Sequence, residues 1–344
     1  MIAQRKKPHP RTIAICGGKG GVGKSTVSAN LALAIARLGH HVTIVDADLG
    51  AANLHTMFGV LHPEHGIADY LDQQVDSLQQ VSRQVAVPSL QLVPGTSRPG
   101  AANLTRAQKL RLLRGIATLD TECVIVDLGA GTSFNVVDLV AAADLKLFVV
   151  TPQLPSLHNA YALLKACVHR VVRKLATDDL GQSMIDSALG QEQKARTVTQ
   201  LLTALRSLDE PLVDRIHEAL GRFGVGLIAN LIESEAEVAA LARMTPLMLD
   251  HLCVKAPLMA AVRRSPSLAG GLRAGARTLV DRNDDSTPAF RLLARTVLDA
   301  DLATLRGETA AQKPTTLPLW ILRDLIDSAE DGAAPPAVVA SGER

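Results

Sequence analysis

Aromatic side chains are scarce: one Trp, two Tyr and five Phe in 344 residues. Leu, Val, Ala and Ile must therefore fill the core, and a hydrophobic content of 47% is enough for a sizeable one. A dominant charge sign is missing too. Lys and Arg number 36 against 34 Asp and Glu, a balance with no general attraction to nucleic acid. The four cysteines, Cys16, Cys123, Cys167 and Cys253, are scattered and form no C-x-x-C pair. That spacing argues against a disulfide framework, a zinc site or an iron–sulfur cluster. Cys16 and Cys123 lie in apolar runs and read as small core residues. No apolar run reaches transmembrane length. The first ten residues, with Arg5, Lys6 and Lys7, lack the apolar centre of a signal peptide. The expectation is a cytoplasmic protein with one large α/β domain or two smaller ones.

What is present is a phosphate-binding signature. Gly18-Lys19-Gly20-Gly21-Val22-Gly23-Lys24-Ser25 fits G-x-x-x-x-G-K-[ST], and Thr26 follows. Glycines let backbone N–H groups turn inward around phosphate oxygens with no side chain in the way. Lys24 brings a point charge to the β- and γ-phosphates, and the Ser25 hydroxyl can ligate Mg²⁺. The context agrees. Thr12 to Cys16 reads as a buried strand, and Val27, Leu31, Ile35 and Leu38 recur at helical spacing after the loop. Strand, loop and helix put the phosphates at a helix N-terminus, where the dipole and free N–H groups favour anions.

Carboxylates follow two further apolar strands. Val42 to Val45 ends in Asp46-Ala47-Asp48, and Val124 to Val126 ends in Asp127. Acids at the C-terminal ends of parallel strands sit at the ligand edge of an open α/β sheet. Asp127 reads as the Walker B acid that holds Mg²⁺, and Gly131 is placed for a switch II turn. Asn230 closes another buried strand at that edge. Its amide could read an adenine edge, or it could form a turn.

The second lysine, Lys19, lies where an ordinary phosphate loop needs no charge. With it, the stretch resembles the signature-lysine loop of the MinD/ParA family of dimerising ATPases. "DADLGAANLHTMFGV" followed by "DLGAGTSFN" is most similar to the flagellar-number regulator branch, FlhG or FleN, with MinD next. The resemblance covers about residues 10–170 well and 223–305 more loosely. It implies ATP and Mg²⁺ as ligands, and a homodimer in which Lys19 reaches the nucleotide of the other copy. It implies Asp46 and Asp48 as the switch I pair, with Asp48 orienting the attacking water. The missing C-x-x-C argues against relatives that carry a cluster between subunits. Relatives with tyrosine kinase activity carry clustered tyrosines, whereas Tyr70 and Tyr161 stand far apart.

Alternating strands and helices predict a doubly wound, mainly parallel sheet with a helical insertion and a C-terminal appendage. The expected boundaries are a basic tail at 1–11 and a P-loop domain at 12–306, with an insertion at 174–222. A linker and apolar helix follow at 307–330, and a disordered Ala/Pro/Gly-rich tail at 331–344. Leucines at helical spacing in the insertion favour a packed hairpin over a partner-docking surface.

The segment after 316 contains Leu319, Trp320, Leu322 and Ile326. In MinD and FlhG a C-terminal amphipathic helix binds the membrane when an ATP dimer pairs two copies. Such helices are rich in Lys and Arg. Here Asp324, Asp327, Glu330 and Asp331 surround Arg323. Peripheral binding at the inner face of the membrane and docking on protein both remain open.

The resemblance implies a slow, switch-type ATPase that positions or counts a cellular structure with an unidentified protein partner. FlhG proteins of some lineages carry an N-terminal GTPase-activating motif, of which the first 11 residues show no copy. A DNA-partitioning ATPase is the alternative, and it needs a basic surface patch. A P-loop enzyme with an acceptor substrate is the other.

Overall fold

Burial on both faces explains why the central strands read as unbroken apolar runs rather than alternating ones. The computed structural model describes residues 9–98, 100–176, 197–265 and 286–299. It opens with β1 (Arg11–Cys16), α1 (Lys24–Arg37) and β2 (Val42–Ala47). Short helices α2 (Leu54–Met57), α3 (Ile67–Leu71) and α4 (Leu78–Val81) lead to β3 (Arg83–Val85) and β4 (Val87–Val93). Then come α5 (Arg106–Ala117), β5 (Cys123–Leu128), α6 (Phe134–Ala142), β6 (Leu145–Val150) and α7 (Leu154–Leu175). The remainder comprises α8 (Val198–Arg206), α9 (Glu210–Gly221), β7 (Val225–Ile232), α10 (Glu235–Ala242), α11 (Met244–Leu252), β8 (Leu258–Arg263) and α12 (Thr287–Asp299).

The eight strands form one sheet in the order β3-β4-β2-β5-β1-β6-β7-β8. Every neighbouring pair is parallel except β3–β4. This is the doubly wound α/β architecture that the strand–helix alternation predicts. Residues from α1 and α12 fill one side of the sheet, around Leu31, Ile35, Phe290 and Val297. Residues from α5 to α11 fill the other, around Leu112, Leu163, Leu201 and Ile216.

The apolar faces of the two helices in 198–221 are buried, whereas Leu208 between them is exposed. Val198, Leu201, Leu202 and Leu205 of α8 and Leu212, Val213, Ile216 and Leu220 of α9 belong to that second core. Thr197 caps α8 by accepting from the Gln200 N–H, and Asp209 caps α9 by accepting from the Leu212 N–H. α7 begins at Leu154 with Pro155 in its first turn, where no N–H is needed. β3 is a short, mostly exposed edge strand with no apolar alternation to announce it.

Several expectations fall outside the described residues. They are positions 1–8 of the basic tail, residues 99 and 266–285 of the P-loop domain, residues 177–196 of the insertion, and everything after 299. The last group includes Leu319, Trp320, Leu322 and Ile326.

Candidate nucleotide site

The site is built where β1, β2 and β5 end, and register brings its parts together. β1 lies between β5 and β6, and β5 lies between β1 and β2. The loop after β1 runs through Gly17–Gly23 into α1, and Gly23 caps the helix with φ 89°. No side chain caps α1, so its first N–H groups stay available to an anion. A Cβ on Gly23 would strike the Asn230 amide, and one on Gly18 would strike the backbone of Asn159 in α7. Beyond Gly20 and Gly21 there is only open space within 4 Å of an added Cβ. The loop is thus pinned from behind and open in front, as a phosphate cradle requires.

Lys24 begins α1 and is 8% exposed, whereas Lys19 stands exposed on the loop. Val22 is buried beneath the loop, and Ser25 and Thr26 follow Lys24 on the first turn of α1. One turn on, the Ser28 hydroxyl donates to Asp127 Oδ1 at 2.8 Å. Ser28 was not singled out in the sequence, although its i+4 offset from Lys24 places both on one helix face. Asp127 is buried, and its carboxyl is pushed up to about 6. Burial is the main cause, opposed by hydrogen bonds from the Ser25 and Ser28 hydroxyls and by the Lys24 charge. The Ser25 hydroxyl and the Asp127 carboxylate thus form a hard oxygen pair beside the cradle. Mg²⁺ commonly takes one or two such protein ligands and completes its shell with phosphates and water. The donor set therefore fits Mg²⁺.

Asp46 is Asp127's register partner across β2–β5. It is fully buried and accepts from the N–H groups of Leu54 at 3.0 Å and Asp48 at 3.3 Å. Burial first, and the Asp127 charge second, raise its carboxyl to about 7. Asp46 therefore organises the switch I backbone from inside. Asp48 is half-buried at the surface of the site. A Cβ on Gly129 would come within 2.6 Å of Asp48 Oδ1, so the loop after β5 closes directly on Asp48. Gly131 turns the chain toward α6 with φ 99°.

Asn230 lies against the phosphate loop. It is 2% exposed, and its Nδ2 donates to the Val22 carbonyl at 2.8 Å. One N–H of its amide thus braces the phosphate loop. A register shift between Asn230 and Ile232, with Leu231 at φ 60°, marks a bulge where β7 meets the loop.

Three cysteines are buried, and burial drives their thiols upward: Cys123 and Cys167 to about 12, and Cys16 well above its ordinary value. Such thiols resist the deprotonation that metal ligation needs. Among the described residues no group of three or more His, Cys, Asp or Glu could hold a metal ion. No helix among them is long and apolar enough to cross a membrane.

Residues 9–175 match the family model ParA, described as NUBPL iron-transfer P-loop NTPase. The antiactivator FleN of Pseudomonas aeruginosa is 38% identical over 168 residues, 48% of this chain and 59% of FleN. The flagellum site-determining protein YlxH of Helicobacter pylori is 34% identical over 176 residues, 46% of this chain and 54% of YlxH. The chain spans about half the length of the curated relatives it matches.

Among solved structures, the septum site-determining protein MinD of Pyrococcus horikoshii, complexed with Mg-ADP, aligns with a TM-score of 0.57 at 21% identity. That alignment covers 87% of this chain and 100% of the other. MinD in the MinC:MinD complex of Aquifex aeolicus gives 0.54 at 20% identity, over 88% and 98%. At these identities the structures show a shared fold. With the signature loop, the strand-end acids and the matched sequence in agreement, residues 9–175 carry a ParA-type P-loop NTPase unit.

Proposed function

We propose that this protein is an Mg²⁺-dependent ATPase that pairs with a second copy of itself when ATP is bound. It hydrolyses slowly and works as a cytoplasmic switch that sets the number or position of a cellular structure. The observation that carries this reading is the contrast between the loop's two lysines. Lys24 is buried at the start of α1, while Lys19 is exposed on the same loop. One charge serves the bound phosphates from within. The other faces outward, where a second phosphate loop can use it.

In this reading Lys24 and the loop N–H groups hold the β- and γ-phosphates in place. Ser25 and Asp127 hold Mg²⁺, which supplies further neutralisation of phosphate charge. Asp48 orients the attacking water, and Gly129 keeps the neighbouring backbone close to it. Asp46 fixes the Asp48 backbone by accepting its N–H. Lys19 of the second copy adds positive charge at the transferring phosphoryl group.

The similarity to FleN and YlxH supports the flagellum as the structure controlled. The test is ATP turnover per protomer at increasing protein concentration. It should rise with concentration and then level off. Lys19→Ala should keep ATP binding and lose this dependence, with turnover down about 100-fold or more. Turnover independent of concentration would remove the second copy from the chemistry.

A further inference from the structure

Ser28 is fully buried on α1, and no step of the ATPase reading uses it. Its offsets of three from Ser25 and four from Lys24 put all three residues on one side of the helix. Two acceptors lie within reach of its hydroxyl: Asp127 Oδ1 at 2.8 Å and the Lys24 carbonyl at 3.1 Å. A hydroxyl has one hydrogen and gives it to one of them. The Lys24 carbonyl already has the Ser28 N–H as its helical donor. Asp127 is the closer acceptor, and a carboxylate is the stronger one.

Asp127 depends on such a donor. It stands near the end of β5, flanked by β1 and β2, and is 1% exposed. Two hydroxyls reach its carboxyl, those of Ser25 and Ser28. Ser25 stands in the first turn of α1 beside the phosphate loop, whereas Ser28 lies one turn further along and is closed off from solvent. A carboxyl group turns easily about its terminal torsion, and a tether at one oxygen stops it. Groups that hold a metal's ligands in this way change metal affinity roughly 10–100-fold when they are removed.

We propose that Ser28 is a positioning residue for Mg²⁺: its hydroxyl fixes the Asp127 carboxylate and so sets the metal affinity, without touching metal or nucleotide. The proposal rests on the reading of Ser25 and Asp127 as the protein's Mg²⁺ ligands. Ser28 shares its helix with Lys24, so the acid that serves the metal is tied to the element that begins at the phosphate loop. A rigid helix thereby holds metal and phosphates in one frame. Ser28→Ala removes a single oxygen from a dry site, which leaves too little room for a water to take over the bond.

The test is calorimetry of ADP binding to the full-length chain, once with saturating Mg²⁺ and once in EDTA. The ratio of the two affinities is the metal's contribution. Ser28→Ala should cut this ratio about 10-fold and leave the affinity in EDTA within about two-fold of wild type. Ser28→Cys, similar in size but a weak donor, should match it. Ser28→Thr keeps the hydroxyl and should restore the ratio; if circular dichroism shows that it does not fold, the Ala and Cys variants decide. An unchanged ratio in Ser28→Ala would overturn the proposal. So would an equal loss in EDTA, which means a damaged loop. Unequal losses in the Ala and Cys variants, or a folded Thr variant as weak as Ala, would mean packing and overturn it too. Ser25→Ala and Asp127→Asn separate this from the metal reading. If both lower the ratio and Ser28→Ala does not, only the role of Ser28 fails. If neither lowers it, the metal reading fails and the proposal with it.

Discussion

Asp46 and Asp127 are register partners on β2 and β5, both buried, with carboxyls raised to about 7 and about 6. Two acids this close and this dry cannot both ionise without cost. Their ordinary unfolded values lie near 3.9. The folded protein therefore holds protons that the unfolded chain has lost between about pH 4 and pH 7. Their contribution to stability is fully present below about pH 4 and is lost as pH rises through the folded values. Asp127→Asn removes one of the charges. Without nucleotide or Mg²⁺, its thermal midpoint at pH 8 should exceed that of the wild type by about 3 °C or more. At pH 5 the two should converge. Parallel pH profiles would show that the pair does not carry this strain.

Asp48 and Gly129 give a second pair that can be tested. Asp48→Ala should keep ATP affinity and slow hydrolysis about 100-fold or more, since only the water loses its orienting group. Gly129→Ala would press a methyl group to within 2.6 Å of Asp48 Oδ1. It should slow turnover in the same way while leaving Kd nearly unchanged. Normal turnover in Asp48→Ala would remove that carboxylate from the mechanism.

Asn230→Ala separates a brace from a base reader. Loss of the donor to the Val22 carbonyl leaves a buried acceptor unpaired beside the phosphate loop, a cost of about 1–3 kcal/mol. ATP and GTP should both bind roughly 10-fold more weakly, because the loop is common to both. Calorimetry with the two nucleotides gives the answer. A loss confined to ATP would return Asn230 to the adenine-reading role.

The fold was largely legible because its signals are local. Glycine spacing set the loop, and the apolar runs ending in Asp46 and Asp127 located the strand ends. Their mutual register was not legible, since it depends on β5 lying between β1 and β2. Ser28, Gly129 and Asn159 carry no local signal of their parts. Their parts arise from approaches between segments far apart in sequence, for which no periodicity leaves a mark. The strand position of Asn230 is legible because it is local, whereas its bond to the Val22 carbonyl is not. The edge strand β3 has too few apolar residues to register as a strand.

Nucleotide-dependent pairing of two copies is the central claim, and sedimentation velocity of Asp48→Ala tests it most directly. With hydrolysis slowed, ATP and Mg²⁺ should convert the protein from monomer to dimer, and ADP should leave it monomeric. Adding Lys19→Ala should abolish the dimer while ATP still binds. One mass in ATP, in ADP and without nucleotide would contradict the account.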